Sequence, residues 1–200
     1  AESDGIKYGA RAAKSLHQRY PNIRCHIYSS GTEAVNERLD RGLLDFAVIV
    51  QEVDLSRYNY LRLPVQDAWG VLMRKDDPLA RQTSVRIQDL LDKPLICSRQ
   101  SLREEMVKWF GDVLEKLNLV ATYDLMYNAS ILTREGLGYT IGFQNLVDTG
   151  ADSVLCVRPL EPPLASPMYF IWKKYQVFTP VASLLLEELK RQIAREPAEP

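Results

Sequence analysis

The 200-residue sequence has no apolar stretch near the ~18–20 residues that a membrane-spanning helix needs. Its densest apolar run, Leu43–Val50, is strand length and is broken by Asp45. No basic segment followed by an apolar one opens the chain, so no secretory leader is read. An excess of one charge is also lacking: 25 Lys+Arg stand against 26 Asp+Glu, a formal net charge of -1. Gripping nucleic acid by this surface would need a basic excess to displace counterions, so the composition argues against it. Cysteine is scarce. Cys25, Cys97 and Cys156 are odd in number and far apart, and a disulfide framework would leave one thiol over. Each lies in an apolar run and reads as a buried, inert thiol, which points to a reducing, cytoplasmic compartment.

Catalytic and metal signatures are missing as well. The two histidines, His17 and His26, have no Cys, His or carboxylate at metal-ligand spacing, so neither a metal site nor a metal cofactor is expected. There is no G-x-S-x-G elbow. Gly136-Leu137-Gly138 lacks the third glycine of a dinucleotide fingerprint, because Ile141 stands where Gly is needed. It also leads out of a helix into a strand, the reverse of the required order. It reads as a glycine helix stop, with no nucleotide cofactor implied. No catalytic residue is assigned, and an enzyme reading finds no acid, base or nucleophile constellation.

What is present is an alternation of helices and strands, with 46% of residues in the hydrophobic class. Ile6, Gly9, Ala13, Leu16 and Tyr20 recur at helical spacing, with Asp4 as an N-cap and Pro21-Asn22 as the stop. Ile23, Cys25 and Ile27 alternate with Arg24, His26 and Tyr28 as in a strand. A helix after Ser29–Thr32 and an apolar strand over Asp45–Val50 follow, which together imply a parallel sheet. Further strands are expected at Ala68–Met73, Pro94–Cys97, Val120–Met126, Tyr139–Phe143, Val154–Leu160 and Met168–Trp172. Helices are expected near Ile87–Leu91, from Ser101 to Leu117 with Ser101 and Glu104 as a capping box, and at Ser130–Glu135. A last helix starts at Thr179-Pro180, and Arg195–Pro200 reads as a frayed tail. The fold class is α/β.

Open parallel sheets bind ligands beyond the carboxyl ends of strands, where helix N-termini offer free N–H groups and partial positive charge. Ser3-Asp4, Ser29–Thr32, Ser98–Ser101, Asn128–Ser130 and Phe143–Asn145 are polar turns of this kind. Each is also explained as an ordinary cap. Their presence in both halves of the chain supports a small molecule held between two lobes.

Three phrases then become recognisable together. They are Arg38–Val48 (Arg-Leu-Asp-Arg-Gly-Leu-Leu-Asp-Phe-Ala-Val), Asp89–Ile96, and Arg134-Glu135-Gly136-Leu137-Gly138-Tyr139. In this order and spacing the chain resembles the effector-binding domain of LysR-type transcriptional regulators, from Ala1 to about Arg195. The resemblance implies a fold like type II periplasmic binding proteins: two Rossmann-like α/β subdomains joined by two crossover segments, with a ligand cleft between them. Subdomain I would comprise residues 1–66 plus 165–200 and subdomain II residues 67–164. The family's first strand and its N-terminal winged helix-turn-helix are expected to be missing from this sequence.

Carried over by position, the resemblance implies effector contacts from Ser3, Asp4, Ser30 and Thr32 of the first subdomain. Ser98, Arg99, Gln100, Asn128 and Phe143 would come from the second. The hydroxyls and Arg99 favour a small polar or anionic effector. Asp4 could instead select an ammonium group, if it does not cap the first helix. The same resemblance implies a homodimer through this domain, a homotetramer for the full-length protein, DNA contact only through the missing domain, and no membrane partner. The small-residue face Gly9/Ala10/Ala13 suits either a dimer contact or packing on its own sheet. The competing readings are a transporter's solute-binding protein with the same fold, and an enzyme on that scaffold.

Overall fold

A computed structural model describes residues 2–50, 54 and 56–195. Most of the expected tail, residues 196–200, lies outside the described residues. The chain divides into two compact units. Unit 1 is Ser3–Gln66 with Ser166–Pro200, and unit 2 is Glu2 with Asp67–Ala165.

Unit 1 opens with helix α1 (Ile6–Arg19), then α2 (Thr32–Asp40) and a short strand β1 (Ala47–Ile49). The buried stripe of α1 is Tyr8, Ala12 and Leu16. The periodicity reading placed Ile6 and Tyr20 inside, yet both are exposed. α1 packs against α6 (Pro180–Ile193), and which row of a helix is buried depends on its tertiary partners as well as on its own period. Asp4 does not cap α1: Gly5 holds the N-cap position, and Asp4 pairs with Lys7 at 2.8 Å. Thr179 does cap α6, accepting from the Ala182 N–H at 3.2 Å, with Pro180 in the first turn. The expected strand over Ile23–Ile27 forms no ladder, and Cys25 and Ile27 are exposed. Alternation supplies only half of a strand. Hydrogen bonds to a neighbour supply the rest, and no described strand lies alongside.

The first strand is also not paired in parallel. β1 runs antiparallel to β8 (Ala165–Lys173), with Val48 opposite Phe170. A buried cluster forms around Val35, Leu39, Ala47, Ile49, Tyr58 and Ile171. Beside it Phe46 meets the rings of Phe170 and Phe178, each with centroids 5.0 Å away.

β2 (Tyr58–Arg74) gives its first half to unit 1 and its second half to unit 2. In unit 2 it pairs antiparallel with both β6 (Tyr139–Phe143) and β7 (Leu155–Glu161). β4 (Leu95–Ser98) runs parallel to β6 and to β5 (Leu119–Tyr123). β3 (Val85–Arg86), followed by the one-turn helix α3 (Ile87–Leu90), runs parallel to β7. The sheet is therefore mixed rather than purely parallel.

Side-chain alternation sends Val71, Met73, Leu95, Cys97 and Ile141 to one face. There they pack with Met106, Trp109 and Phe110 of α4 (Glu105–Phe110). Leu72, Ile96 and Leu155 point to the other face, against Met126 and Ala129 of α5 (Met126–Arg134). Covering on both sides explains why these strands read as unbroken apolar runs. Gly70 and Gly138 are required by close approach: a Cβ on Gly138 would lie 2.3 Å from the Pro94 carbonyl oxygen.

The long helix expected from Ser101 is instead broken into three. A 3₁₀ turn over Ser101–Arg103, α4, and a second 3₁₀ stretch over Gly111–Lys116 follow one another. Gly111 takes φ +56°, which ends α4. Ser101 forms no capping box; its hydroxyl donates to the Ser98 carbonyl at 3.0 Å. The Gly136 helix stop is present. Gly136 adopts φ +85°, and the Leu137 N–H donates to the Leu132 carbonyl at 3.0 Å, closing α5 before β6.

Candidate functional site

Because β4, β5 and β6 are parallel, their carboxyl ends emerge along one rim of unit 2. Ser98 closes β4 opposite Tyr123, the last residue of β5. Cys97 lies opposite Ile141, so β6 ends at Phe143 beside the same rim. The expected residues Ser98, Arg99, Gln100, Asn128 and Phe143 are thus gathered on the strand ends and on the helix that follows β5.

Their individual settings differ. Ser98 is half-buried; its hydroxyl faces the Ser101 N–H at 3.5 Å, a long contact that leaves it available to other partners. Arg99 is exposed and is anchored by its backbone N–H, which donates to the Tyr123 carbonyl at 3.1 Å. Gln100 is half-buried and leads into the Ser101 turn. Asn128 was expected in a turn before the helix. It is the third residue of α5, exposed, because that helix begins four residues earlier than its hydrophobic pattern suggests. Phe143 turns its ring onto Trp69, with centroids 4.5 Å apart, and packs on the unit 2 core.

The rim is held by buried polar contacts beneath it. The Tyr123 hydroxyl donates to the Ile141 carbonyl at 2.9 Å, joining β5 to β6 across β4. Burial, with a smaller contribution from Cys97 and Glu2, pushes the Tyr123 phenol well above its ordinary range, so it stays a neutral donor. Thr133 and Thr140 share a hydrogen bond at 2.7 Å between α5 and β6. Desolvation alone pushes the Cys97 thiol up to about 12 and burial also raises Cys156, so both are protonated and unreactive. Cys25 is exposed, which corrects its expected burial.

The remaining expected residues belong to unit 1. Ser3 is buried; its Oγ accepts from the Gly5 N–H at 2.9 Å and contacts the Met168 sulfur. Asp4 is half-buried in its pair with Lys7. Ser30 and Thr32 flank Gly31, the N-cap residue of α2, and both are half-buried.

Sequence reasoning missed Glu2. Its carboxylate accepts the Met126 N–H at 2.8 Å at the start of α5. No sequence signal could have joined residues 124 positions apart. Among the described residues no group of His, Cys, Asp and Glu is arranged to hold a metal ion. No described helix is long and apolar enough to cross a membrane.

A mixed α/β fold with polar groups and a helix start at parallel strand ends is an arrangement suited to holding a small molecule. Comparison with known proteins agrees and is more specific. The LysR substrate binding domain family matches residues 8–194, and the chain belongs to that family.

The probable nitrogen assimilation transcriptional activator of Synechococcus elongatus (strain ATCC 33912 / PCC 7942 / FACHB-805) is 23% identical over 203 residues. That match takes in 98% of this chain and 64% of the relative. The chain spans less than two thirds of the curated relatives it matches. The regulatory domain of Synechocystis PCC6803 CcmR, in complex with 2-PG, superposes with a TM-score of 0.76 at 19% identity, covering 97% of this chain and 95% of that one. The effector binding domain of QuiR, in complex with shikimate, gives a TM-score of 0.80 at 16% identity, covering 93% and 90%. The two-lobe α/β fold implied by the sequence resemblance is the fold of these structures.

Proposed function

We propose that this chain is the effector-sensing part of a LysR-type transcriptional regulator, and that it binds a small polar or anionic metabolite without transforming it. The observation that carries this is the unit 2 rim, where Ser98, exposed Arg99 and the start of α5 converge at the ends of parallel strands. Hydroxyl, guanidinium and helix N–H groups are all donors, and together they favour carboxylate or phosphate oxygens. Ser3, Asp4, Ser30 and Thr32 are assigned to the same ligand by the family resemblance. The neighbours named for their complexes with 2-PG and shikimate support ligand binding as the activity of this fold.

In this reading the ligand acts through unequal affinity for two arrangements of the regulator. It thereby changes how homo-oligomeric subunits, joined through this domain as a dimer and in the full-length protein as a tetramer, present their DNA-binding parts in the cytoplasm. The test is a thermal-shift screen of small carboxylates, phosphates and amino acids, followed by titration of the confirmed ligand. Thr32→Ala and Ser98→Ala should each weaken it about five- to thirtyfold, for roughly 1–2 kcal/mol per lost hydrogen bond. If both variants keep full affinity, the assignment of the site is wrong. Turnover of any screened compound would overturn the binding-only reading.

A further inference from the structure

β5 is the last strand of its sheet, and among the described residues it pairs with β4 alone. An edge strand is held by a ladder on one side only, so its end is the part of a sheet most free to shift. Yet the final residue of β5, Tyr123, is tied at two points. Its carbonyl accepts the Arg99 N–H at 3.1 Å, and its hydroxyl donates to the Ile141 carbonyl at 2.9 Å. Ile141 belongs to β6, shortly before Phe143 ends that strand. One residue therefore links the backbone that carries Arg99 to the strand end beyond it.

The hydroxyl reaches its partner because residue 142 has no side chain. A Cβ on Gly142 would stand 2.7 Å from the Tyr123 hydroxyl oxygen and 2.7 Å from the Met126 sulfur. A thioether on a flexible chain can swing away. The phenol oxygen is the tip of a rigid ring, so it leaves only if the ring moves and the bond to Ile141 is given up. Gly142 does not take a positive φ, unlike Gly42, Gly111 and Gly136. What the position requires is room, not backbone freedom.

We propose that Tyr123 and Gly142 are positioning residues for the effector: together they fix where Ser98 and Arg99 stand at the rim, without touching the ligand. The inference rests on the reading of the unit 2 rim as the effector site and adds what holds that site in place. A hydroxyl and a guanidinium recognise one anion together only when their spacing is kept to about 0.5 Å by a support that does not itself drift. Without the Tyr123 hydroxyl the end of β5 relaxes. Arg99 then moves with the carbonyl to which its N–H is bonded, and the two donors no longer converge.

The test follows the Arg99 amide by nitrogen-15 NMR and reads the concentrations of inorganic phosphate and acetate that half-shift it, with the melting temperature of each protein beside them. Tyr123→Phe keeps the ring and deletes the bond, whereas Gly142→Ala keeps the hydroxyl and takes its space. Tyr139→Phe is the control, since it deletes a phenol bond of the same kind, to Asp77 at 2.6 Å, from the first residue of β6. Tyr123→Phe should raise the half-shift concentrations about three- to tenfold, and Gly142→Ala by at least as much. Tyr139→Phe should lower the melting temperature and leave those concentrations unchanged. If Tyr123→Phe binds both anions as the wild type does, the positioning role is overturned and the rim site stands. It is equally overturned if Tyr139→Phe weakens binding as much, because the loss then follows general stability. Should Gly142→Ala fail to fold, Tyr123→Phe and Tyr139→Phe decide the matter between them. If neither anion moves the Arg99 resonance of the wild-type protein, the anion-binding reading of the rim itself fails, and the positioning role with it.

Discussion

The Glu188 carboxylate of α6 accepts the Arg19 guanidinium of α1 at 2.8 Å, and the same buried acid is shared by Arg191 at 2.5 Å. The two helices pack side by side, so this acid sits at their seam. Burial alone would raise its pKa. Hydrogen bonds from Ser15 and Gln192 and the charges of Arg191 and Arg19 outweigh that and hold it below the ordinary value of 4.5. A carboxylate depressed in the folded state contributes stability that is present above 4.5 and lost as pH falls through its lower, folded value. Glu188→Gln should therefore lower the melting temperature at pH 7, corresponding to about 1–3 kcal/mol. The gap between variant and wild type should shrink in acid, which melting curves taken from pH 7 downward will check.

Gly138 admits no side chain, because a Cβ there would meet the Pro94 backbone, which cannot swing aside. Gly138→Ala should push β6 away from β4, whose register runs through Leu95 opposite Tyr139. The expected loss is about 1–3 kcal/mol, read as a lower urea midpoint.

The Thr133–Thr140 pair is buried; removing the Thr140 hydroxyl strands that of Thr133, whereas Thr140 keeps a long 3.4 Å contact to the Ala129 carbonyl when the Thr133 hydroxyl is removed. Thr133→Val and Thr140→Val should each cost about 1–3 kcal/mol, and the double variant less than their sum. A double-mutant cycle by urea denaturation measures that coupling. Additive losses would mean that the two hydroxyls act independently.

The three cysteines should separate cleanly under a thiol reagent at pH 8. Cys25 is exposed and should react in the native protein. Cys97 and Cys156 are buried and their thiols are raised by desolvation, so they should react only after unfolding. Counting labelled thiols by mass spectrometry, with and without denaturant, checks this.

Much of this protein was legible in the linear chain because the cause was local. Pro180 after Thr179, the Gly136 stop and the apolar runs at Leu95–Cys97 and Tyr139–Phe143 act within a few residues, and the structure places a cap, a left-handed glycine and two buried strands there. The family phrases, too, are contiguous stretches, and the chain belongs to the family they resemble. Most of the unit 2 rim could be found in the same way, since strand ends follow from strand identity.

Other features depended on partners distant in sequence. Ile23–Ile27 has the alternation of a strand but no ladder, because pairing is a property of two segments. α1 packs against α6 and buries Tyr8 and Ala12, which its own periodicity did not mark, and β1 took an antiparallel neighbour from the far end of the chain. Glu2 at the start of α5 is the extreme case. Backbone preference and hydrophobic period act over a turn of helix or a pair of strand residues, so the chain by itself determined most of the segments that become helix or buried strand, though not Ile23–Ile27 or the breaks after Ser101. Only tertiary structure decided which edge, face or helix terminus each of them meets, because those choices are made by groups that come together only when the chain has folded.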